Sequence, residues 1–111
     1  MNITTLLEQV RSGSLAFSDV LAAIDARYQH HPTAFTNGSA HNEATQNQGS
    51  ARVFAFARLN NLGEEDTLAL FAEHYRAVLA HPDATDHQNI RQFMANGWKG
   101  IIFEGDALTE K

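Results

Sequence analysis

The sequence has no cysteine, only two prolines and no long apolar run. Without cysteine there is no disulfide framework, thiol catalysis or cysteine-ligated zinc, and any metal would depend on His, Asp and Glu. No stretch approaches the roughly 20 apolar residues of a membrane-spanning helix. The first 13 residues also lack the basic start and apolar run of a secretory signal. We therefore expect a soluble protein, made without a cleaved leader, that fits a reducing compartment.

Basic residues are scarce as well. The chain has 8 Lys and Arg residues against 13 Asp and Glu residues, and its formal net charge is −5. A negative chain repels nucleic acid and anionic lipid, so we expect neither as a partner. A chain of 111 residues can bury about two-thirds of its unfolded surface as one domain. We expect a single domain over residues 1–111 that needs no metal or cofactor.

Apolar residues at helical spacing predict a mainly α fold of the α+β class, with about five helices and a short two-stranded ribbon. The segment 52–59 also alternates like a strand, but its alanines and the stop at Gly63 favour a central, buried helix. An N-cap at Ser18 and another at Asp86 begin two of the helices. The predicted helices cover residues 3–11, 18–29, 51–61, 64–81 and 86–96, the last with Ile90, Phe93, Met94 and Trp98 inward, and the predicted strands cover residues 33–36 and 100–104.

Residues 37–50, which we call the polar island, contain no large apolar side chain. Connections longer than about 12 to 15 residues are usually either functional or disordered. Side-chain amides also bond their own backbone, so the island can be a plain ordered loop after the Asn37-Gly38 turn. In the functional interpretation, Asn37, His41, Asn42 and Asn47 line a site for a polar ligand or peptide.

A second polar group lies at residues 86–91. On a helix that starts at Asp86, His87 and Arg91 share one side with the core residue Ile90. The structural interpretation is an N-capping Asp beside a hydrogen-bonded His. The functional interpretations are an Asp-His general base and a first-turn anion site helped by Arg91. His74 lies beside the core stripe of the preceding helix, where a histidine is more often structural than a ligand.

Motifs for specific chemistry are missing. No His-Glu-x-x-His spacing, serine elbow, phosphate-binding glycine loop or dinucleotide fingerprint occurs. We therefore favour a non-enzymatic binding module whose surface joins the polar island to His74 and the start of the Asp86 helix. That hypothesis predicts that these segments adjoin in space. The alternative is a small enzyme, such as a hydrolase, with His87 as base and Asp86 orienting it.

Several short motifs, each weak alone, form a specific combination between Pro32 and Leu108. They are FTNG at residues 35–38, Asn42, NQGS at 47–50, FAFA at 54–57, TLALF at 67–71, HYR at 74–76, DHQNIR at 86–91, FM at 93–94 and GW at 97–98. Together they resemble the HopJ type III effector protein family. The resemblance implies delivery by a type III secretion system into a eukaryotic host, with a host protein as a partner, and it brings no catalytic residue.

The start of the chain favours a different location. Type III substrates generally present a disordered polar N-terminal segment, whereas residues 3–10 show a helical pattern. We therefore expect the protein in the bacterial cytoplasm. There it would act on a bacterial protein or on a small polar ligand.

Overall fold

The structure is a computed structural model, and it describes residues 2–111. Within that range six α-helices combine with short antiparallel strands, which confirms the α+β class. None of these helices is long and apolar enough to cross a membrane. The helices are α1 (Ile3–Arg11), α2 (Phe17–Arg27), α3 (Gln48–Leu59), α4 (Glu64–Ala69), α5 (Glu73–Ala80) and α6 (Gln88–Asn96), followed by a 3₁₀ turn at Gly97–Gly100.

Within residues 2–111, five strands of three residues form two small sheets. The strands are β1 (Tyr28–His30), β2 (Phe35–Asn37), β3 (Ala40–Asn42), β4 (Ile101–Phe103) and β5 (Leu108–Glu110). The predicted ribbon is confirmed, because β2 and β4 pair antiparallel with Thr36 opposite Ile102. A third strand, β3, extends this sheet in the order β3-β2-β4, and β1 pairs with β5 in a second sheet. Neither addition was predicted, since a strand of three residues is too short to show an alternating pattern.

Helix α3 is the centre of the core, as predicted. Its Phe54 is fully buried, with ring centroids 5.4 Å from Phe71 and 5.0 Å from Phe93. Phe35 from β2 packs on the same ring at 6.2 Å. The helix begins at Gln48, with Asn47 as its N-cap, three residues before the predicted start at residue 51. Its first turn therefore belongs to the polar island.

The predicted long helix after Glu64 is wrong, because the chain breaks it between α4 and α5. Leu70, Phe71 and Ala72 are all buried at the break. Ala72 has a φ of 54°, a value that a helix does not contain. Phe71 stacks on Phe17 at 5.6 Å and also packs on Phe54. These tertiary contacts outweigh the local helical preference of the segment.

Four helix boundaries or faces also differ from the predictions. Ala16, not Ser18, is the N-cap of α2, where the Asp19 carboxylate accepts a hydrogen bond from the Ala16 N–H. That helix ends at Arg27 because the chain enters β1. His87, not Asp86, is the N-cap of α6. Met94 is 45% exposed, so it does not belong to the inner face of α6.

The predicted turn at Asn37-Gly38 joins β2 to β3. Gly38 has a φ of +60°, which glycine adopts without steric cost. A Cβ atom there would also collide with the side chains of Gln92 and Asn96 on α6. The turn is thereby held against α6, which brings β3 next to the start of that helix.

Candidate functional site

A cleft of about 630 Å³ opens between the polar island and the start of α6. We call it the amide-histidine cleft. One wall comes from β3 and the first turn of α3, and the other comes from residues 87–90. Phe17, Phe71 and His74 complete its lining. Segments that are far apart in the sequence therefore meet at one concave surface.

The polar island is ordered by its own hydrogen bonds. The Gln48 side chain anchors the polar island to Thr33. Its amide accepts a hydrogen bond from the Thr33 N–H at 3.0 Å and donates one to the Thr33 carbonyl at 3.1 Å. The same side chain donates to the Gln46 carbonyl at 2.9 Å. The Gln46 side chain in turn accepts from the Glu43 N–H at 3.1 Å. Such amide-to-backbone bonds hold a polar loop in one conformation.

Beneath one wall lie three buried asparagines, Asn37, Asn42 and Asn89, which we call the amide cluster. Asn37 Nδ2 donates to the Asn89 carbonyl at 2.8 Å and to Asn89 Oδ1 at 3.1 Å. Asn89 Nδ2 donates to Asn42 Oδ1 at 3.0 Å, and Asn47 Nδ2 donates to the same oxygen at 2.7 Å. Asn42 Nδ2 donates to the Phe35 carbonyl at 3.3 Å. The cluster joins β2, β3, α3 and α6 through side-chain amides.

Three histidines line the cleft, namely His41, His74 and His87, and we call the last two the histidine edge. The rings of His74 and His87 lie 4.9 Å apart, and the Phe17 ring packs on His74 at 4.9 Å. His41 bonds Thr36 and Glu43. By contrast, within residues 2–111 no protein group hydrogen-bonds the ring nitrogens of His74 or His87. The carboxylate oxygen nearest to the His87 ring, Asp86 Oδ2, is 3.8 Å from His87 Nε2.

Asp86 and Arg91 do not line the cleft. Arg91 donates to Asp86 Oδ1 at 2.8 Å and to the carbonyls of Pro82 and His81. The hydrogen bond from Arg91 holds the pKa of Asp86 below its ordinary value, with a smaller contribution from His87. The 3.8 Å gap to His87 is longer than a hydrogen bond. Asp86 is therefore a partner of Arg91 and does not orient His87 as a base.

The backbone at the mouth of the cleft is also unusual. Asn47 and His87 both have a φ of 51°, and neither makes a side-chain capping bond to its helix. The helices α3 and α6 therefore start with free N–H groups. In the described range the N–H groups of residues 48–50 and 88–89 have no protein acceptor.

Carboxylates are absent from the cleft lining. Glu73 lies beside it, but its Oε1 accepts from the Phe17 N–H at 2.8 Å. Burial acts to raise the pKa of Glu73, yet this hydrogen bond, its own N–H and the nearby His74 and Arg76 keep that pKa below the ordinary value. Residues 2–111 contain no group of three or more His, Asp and Glu side chains arranged to hold a metal ion.

Five of the eight predicted site residues line the cleft: His41, Asn42, Asn47, His74 and His87. Asn37 is buried in the amide cluster, and Asp86 and Arg91 point elsewhere. The proximity of the polar island to His74 and residues 86–91 was expected, whereas a binding role for these residues stays a prediction. Sequence reasoning did not single out Asn89 or Phe17. Asn89 lies inside a motif already noted, but its partners on β2 and β3 are visible only in the fold.

Comparisons with known proteins agree with the resemblance noted from the motifs. The family model described as HopJ type III effector protein matches residues 3–108. A solved structure titled "Crystal structure of unknown function protein VPA0580" superposes with a TM-score of 0.89 at 46% identity, covering 100% of this chain and 95% of that one. Proteins with curated descriptions yield no match. Because the family model spans nearly the whole sequence, the chain belongs to the HopJ type III effector family.

Proposed function

We propose that this protein is a binding module that holds a small polar ligand in the amide-histidine cleft. The observation that carries the proposal is the meeting of the polar island with His74 and the start of α6. The cleft volume of about 630 Å³ lies within the roughly 300 to 1,000 Å³ of small-molecule sites. A concave, polar-walled cleft suits a small molecule better than the flat patch typical of a protein partner.

The chemistry of the lining supports binding more than catalysis. The amides of Asn47 and Gln46 offer both donors and acceptors, and the rings of Phe17 and Phe71 offer apolar surface. A small enzyme with His87 as its base would need a group that orients the ring. Asp86 is committed to Arg91, so that role has no candidate. We therefore place the enzyme second to the binding module.

The test is amide chemical-shift mapping of the folded protein with a panel of small neutral and charged polar compounds. We expect at least one compound to shift Asn42, Asn47 and His87 together and in a saturable manner. A separate cleft, lined by Leu59 and Ile102, is an internal control that should stay unshifted. A panel that shifts no cleft residue, or shifts only that other site, contradicts the proposal.

A further inference from the structure

We infer that the ligand of the amide-histidine cleft carries a compact anionic group, phosphoryl or carboxylate, which is bound between His74 and His87. This inference rests on the proposed binding function and names the chemical class of the ligand. The anion would take hydrogen bonds from the two imidazoles and from the first turns of α3 and α6. The organic part of the ligand would lie against Phe17 and Phe71.

The paired imidazoles are the first observation. Both rings line the cleft, with centroids 4.9 Å apart. A half-buried polar group normally finds a partner, because leaving it unpaired costs free energy. Three other histidines have theirs, since His30 bonds Gln48, His31 bonds Thr109 and His41 bonds Glu43, whereas His81 is exposed to solvent. His74 and His87 line the cleft without a partner for their ring nitrogens, so a ligand in the cleft can accept their N–H groups.

The charge of the lining is the second observation. The chain has a net charge of −5, yet the amide-histidine cleft has no Asp or Glu side chain in its lining. Three carboxylates lie close to the lining, and each has a partner: Glu73 bonds the Phe17 N–H, Glu43 bonds His41, and Asp86 Oδ1 bonds Arg91. Asp86 Oδ2 is 3.8 Å from His87 Nε2 and is the acidic oxygen nearest to that ring. Inside the cleft itself a cationic ligand would contact no carboxylate, whereas an anion would contact donors and neutral side chains.

The backbone is the third observation. The free N–H groups of Gly49, Ser50, Gln88 and Asn89 belong to residues that line the same cleft. They come from two helices, α3 with 12 residues and α6 with 9. Helix N-termini carry partial positive charge and favour anions. Two helices thus add backbone donors to those of the imidazoles.

The experiment uses matched probes on the full chain. Sodium phosphate, sodium acetate and acetamide are titrated separately at constant ionic strength while amide chemical shifts are followed. Acetate and acetamide have nearly the same shape and differ in charge. We expect saturable shifts at Gly49, Ser50, Gln88 and Asn89 with phosphate and with acetate, and none with acetamide over the same concentrations.

Variants connect the binding to the imidazoles. His74→Gln and His87→Asn each replace the imidazole ring with a neutral side-chain amide. Asparagine also tolerates the left-handed conformation of residue 87. We expect each variant to weaken phosphate binding about tenfold, as loss of a hydrogen bond to a charged group does. The matched control is His31→Gln, an exposed histidine outside the cleft, which should bind phosphate like the original chain. Shift dispersion confirms that each variant is folded.

The outcomes separate this inference from the proposed function. If acetamide shifts the cleft as strongly as acetate, or if a neutral panel compound binds while phosphate and acetate do not, the anion inference is overturned and the binding module stands. If neither the anions nor any panel compound shifts the cleft, both fail. Phosphate shifts that are scattered over the surface, or that survive both histidine variants unchanged, also overturn the inference.

Discussion

The amide cluster and the histidine edge are two polar regions beside the same cleft, yet their hydrogen bonding differs completely. Asn37, Asn42 and Asn89 donate their side-chain N–H groups to one another and to neighbouring backbone, and only Asn37 Oδ1 is buried without a partner among the described side chains. The ring nitrogens of His74 and His87 have no hydrogen-bond partner within residues 2–111, and both residues line the cleft. Both regions lie in the segments whose motifs resemble the family. The comparison separates polar residues that complete the fold from polar residues that remain available to a ligand.

The lesson is that the count of satisfied hydrogen bonds, and not polarity, distinguishes the two roles. Asn37 looked like a ligand contact in the sequence and is instead fully buried. Its Nδ2 is bonded to Asn89, and its Oδ1, although unpaired, is closed off from solvent, so neither atom is available to a ligand. Five substitutions, in four predictions, test this distinction through the free energy of unfolding, in decreasing order of expected effect.

The largest loss is expected from Asn42→Ala in the amide cluster. This change leaves the buried Asn89 Nδ2 without its 3.0 Å acceptor and also removes the acceptor of Asn47. We expect the free energy of unfolding to fall by about 2 to 3 kcal/mol, the penalty for unpaired buried polar groups. Urea denaturation measures it. The control is Thr45→Ala, at an exposed position in the polar island, which should change the free energy of unfolding by less than about 0.5 kcal/mol. A similar loss in both variants would contradict a structural role for the amide cluster.

Arg91→Met should have the next largest effect. Arg91 is largely buried and ties the loop before α6 by donating to the carbonyls of His81, Pro82 and Asp86. Loss of these hydrogen bonds should lower the free energy of unfolding by about 1 to 2 kcal/mol. The matched control is Arg27→Met, at an exposed position, which should stay near the original stability. Equal stability of the two variants would show that Arg91 does not hold the loop.

Glu73→Gln should lower the free energy of unfolding by about 0.5 to 1 kcal/mol at pH 7. The expected loss is small because the carboxylate is exposed and solvent screens its interactions. The pKa of Glu73 is lower in the folded chain than its ordinary value, through its bond to the Phe17 N–H and nearby positive groups. Its ionised form therefore stabilises the fold above the unfolded pKa, and that contribution disappears as pH falls through the folded pKa. We expect the stability gap between the two chains to be wider at pH 7 than at pH 3. Glu8→Gln serves as the exposed control, and a gap that widens in acid would contradict the assignment.

The smallest effect on stability is expected at the histidine edge. His74→Gln and His87→Asn break no hydrogen bond of the described chain, so each should change the free energy of unfolding by less than about 0.5 kcal/mol. Thermal and urea unfolding measure this. A loss above about 1 kcal/mol would place these rings with the structural polar groups and remove the contrast with the amide cluster.

The parts of the fold that depend on local pattern were predictable from the sequence. The helical periodicity of α1 and the Asn37-Gly38 turn appear where expected, and the alanines and the Gly63 stop correctly favoured a helix for α3, although it begins three residues earlier than predicted. The break at Ala72 was not predictable, because it depends on Phe71 packing against Phe17 and Phe54 from distant segments.

The same limit applies to the candidate site. The sequence indicated that the polar island lies on the surface, because a long polar connection between core segments cannot be buried. The binding hypothesis then predicted that the island adjoins His74 and the start of α6. It did not indicate that Arg91 would bond Asp86 and adjacent carbonyls instead of facing the cleft. It also did not separate Asn37 from Asn47, because the burial of Asn37 results from the position of β2 at the centre of its sheet and from its contact with Asn89 of α6.

The pairing of β1 with β5 bears on the order in which this chain assembles. Tyr28 lies opposite Glu110, and the neighbouring bonds from His31 to Ala107 and from Lys111 to Arg27 extend the ladder at both ends. Contacts between such distant positions have a large entropic cost of loop closure and slow folding. The helices α3 to α6 and both walls of the cleft lie inside the loop that this ladder closes. We therefore expect the local helices to form early and this ladder to form late, closing the chain around a core that is already in place.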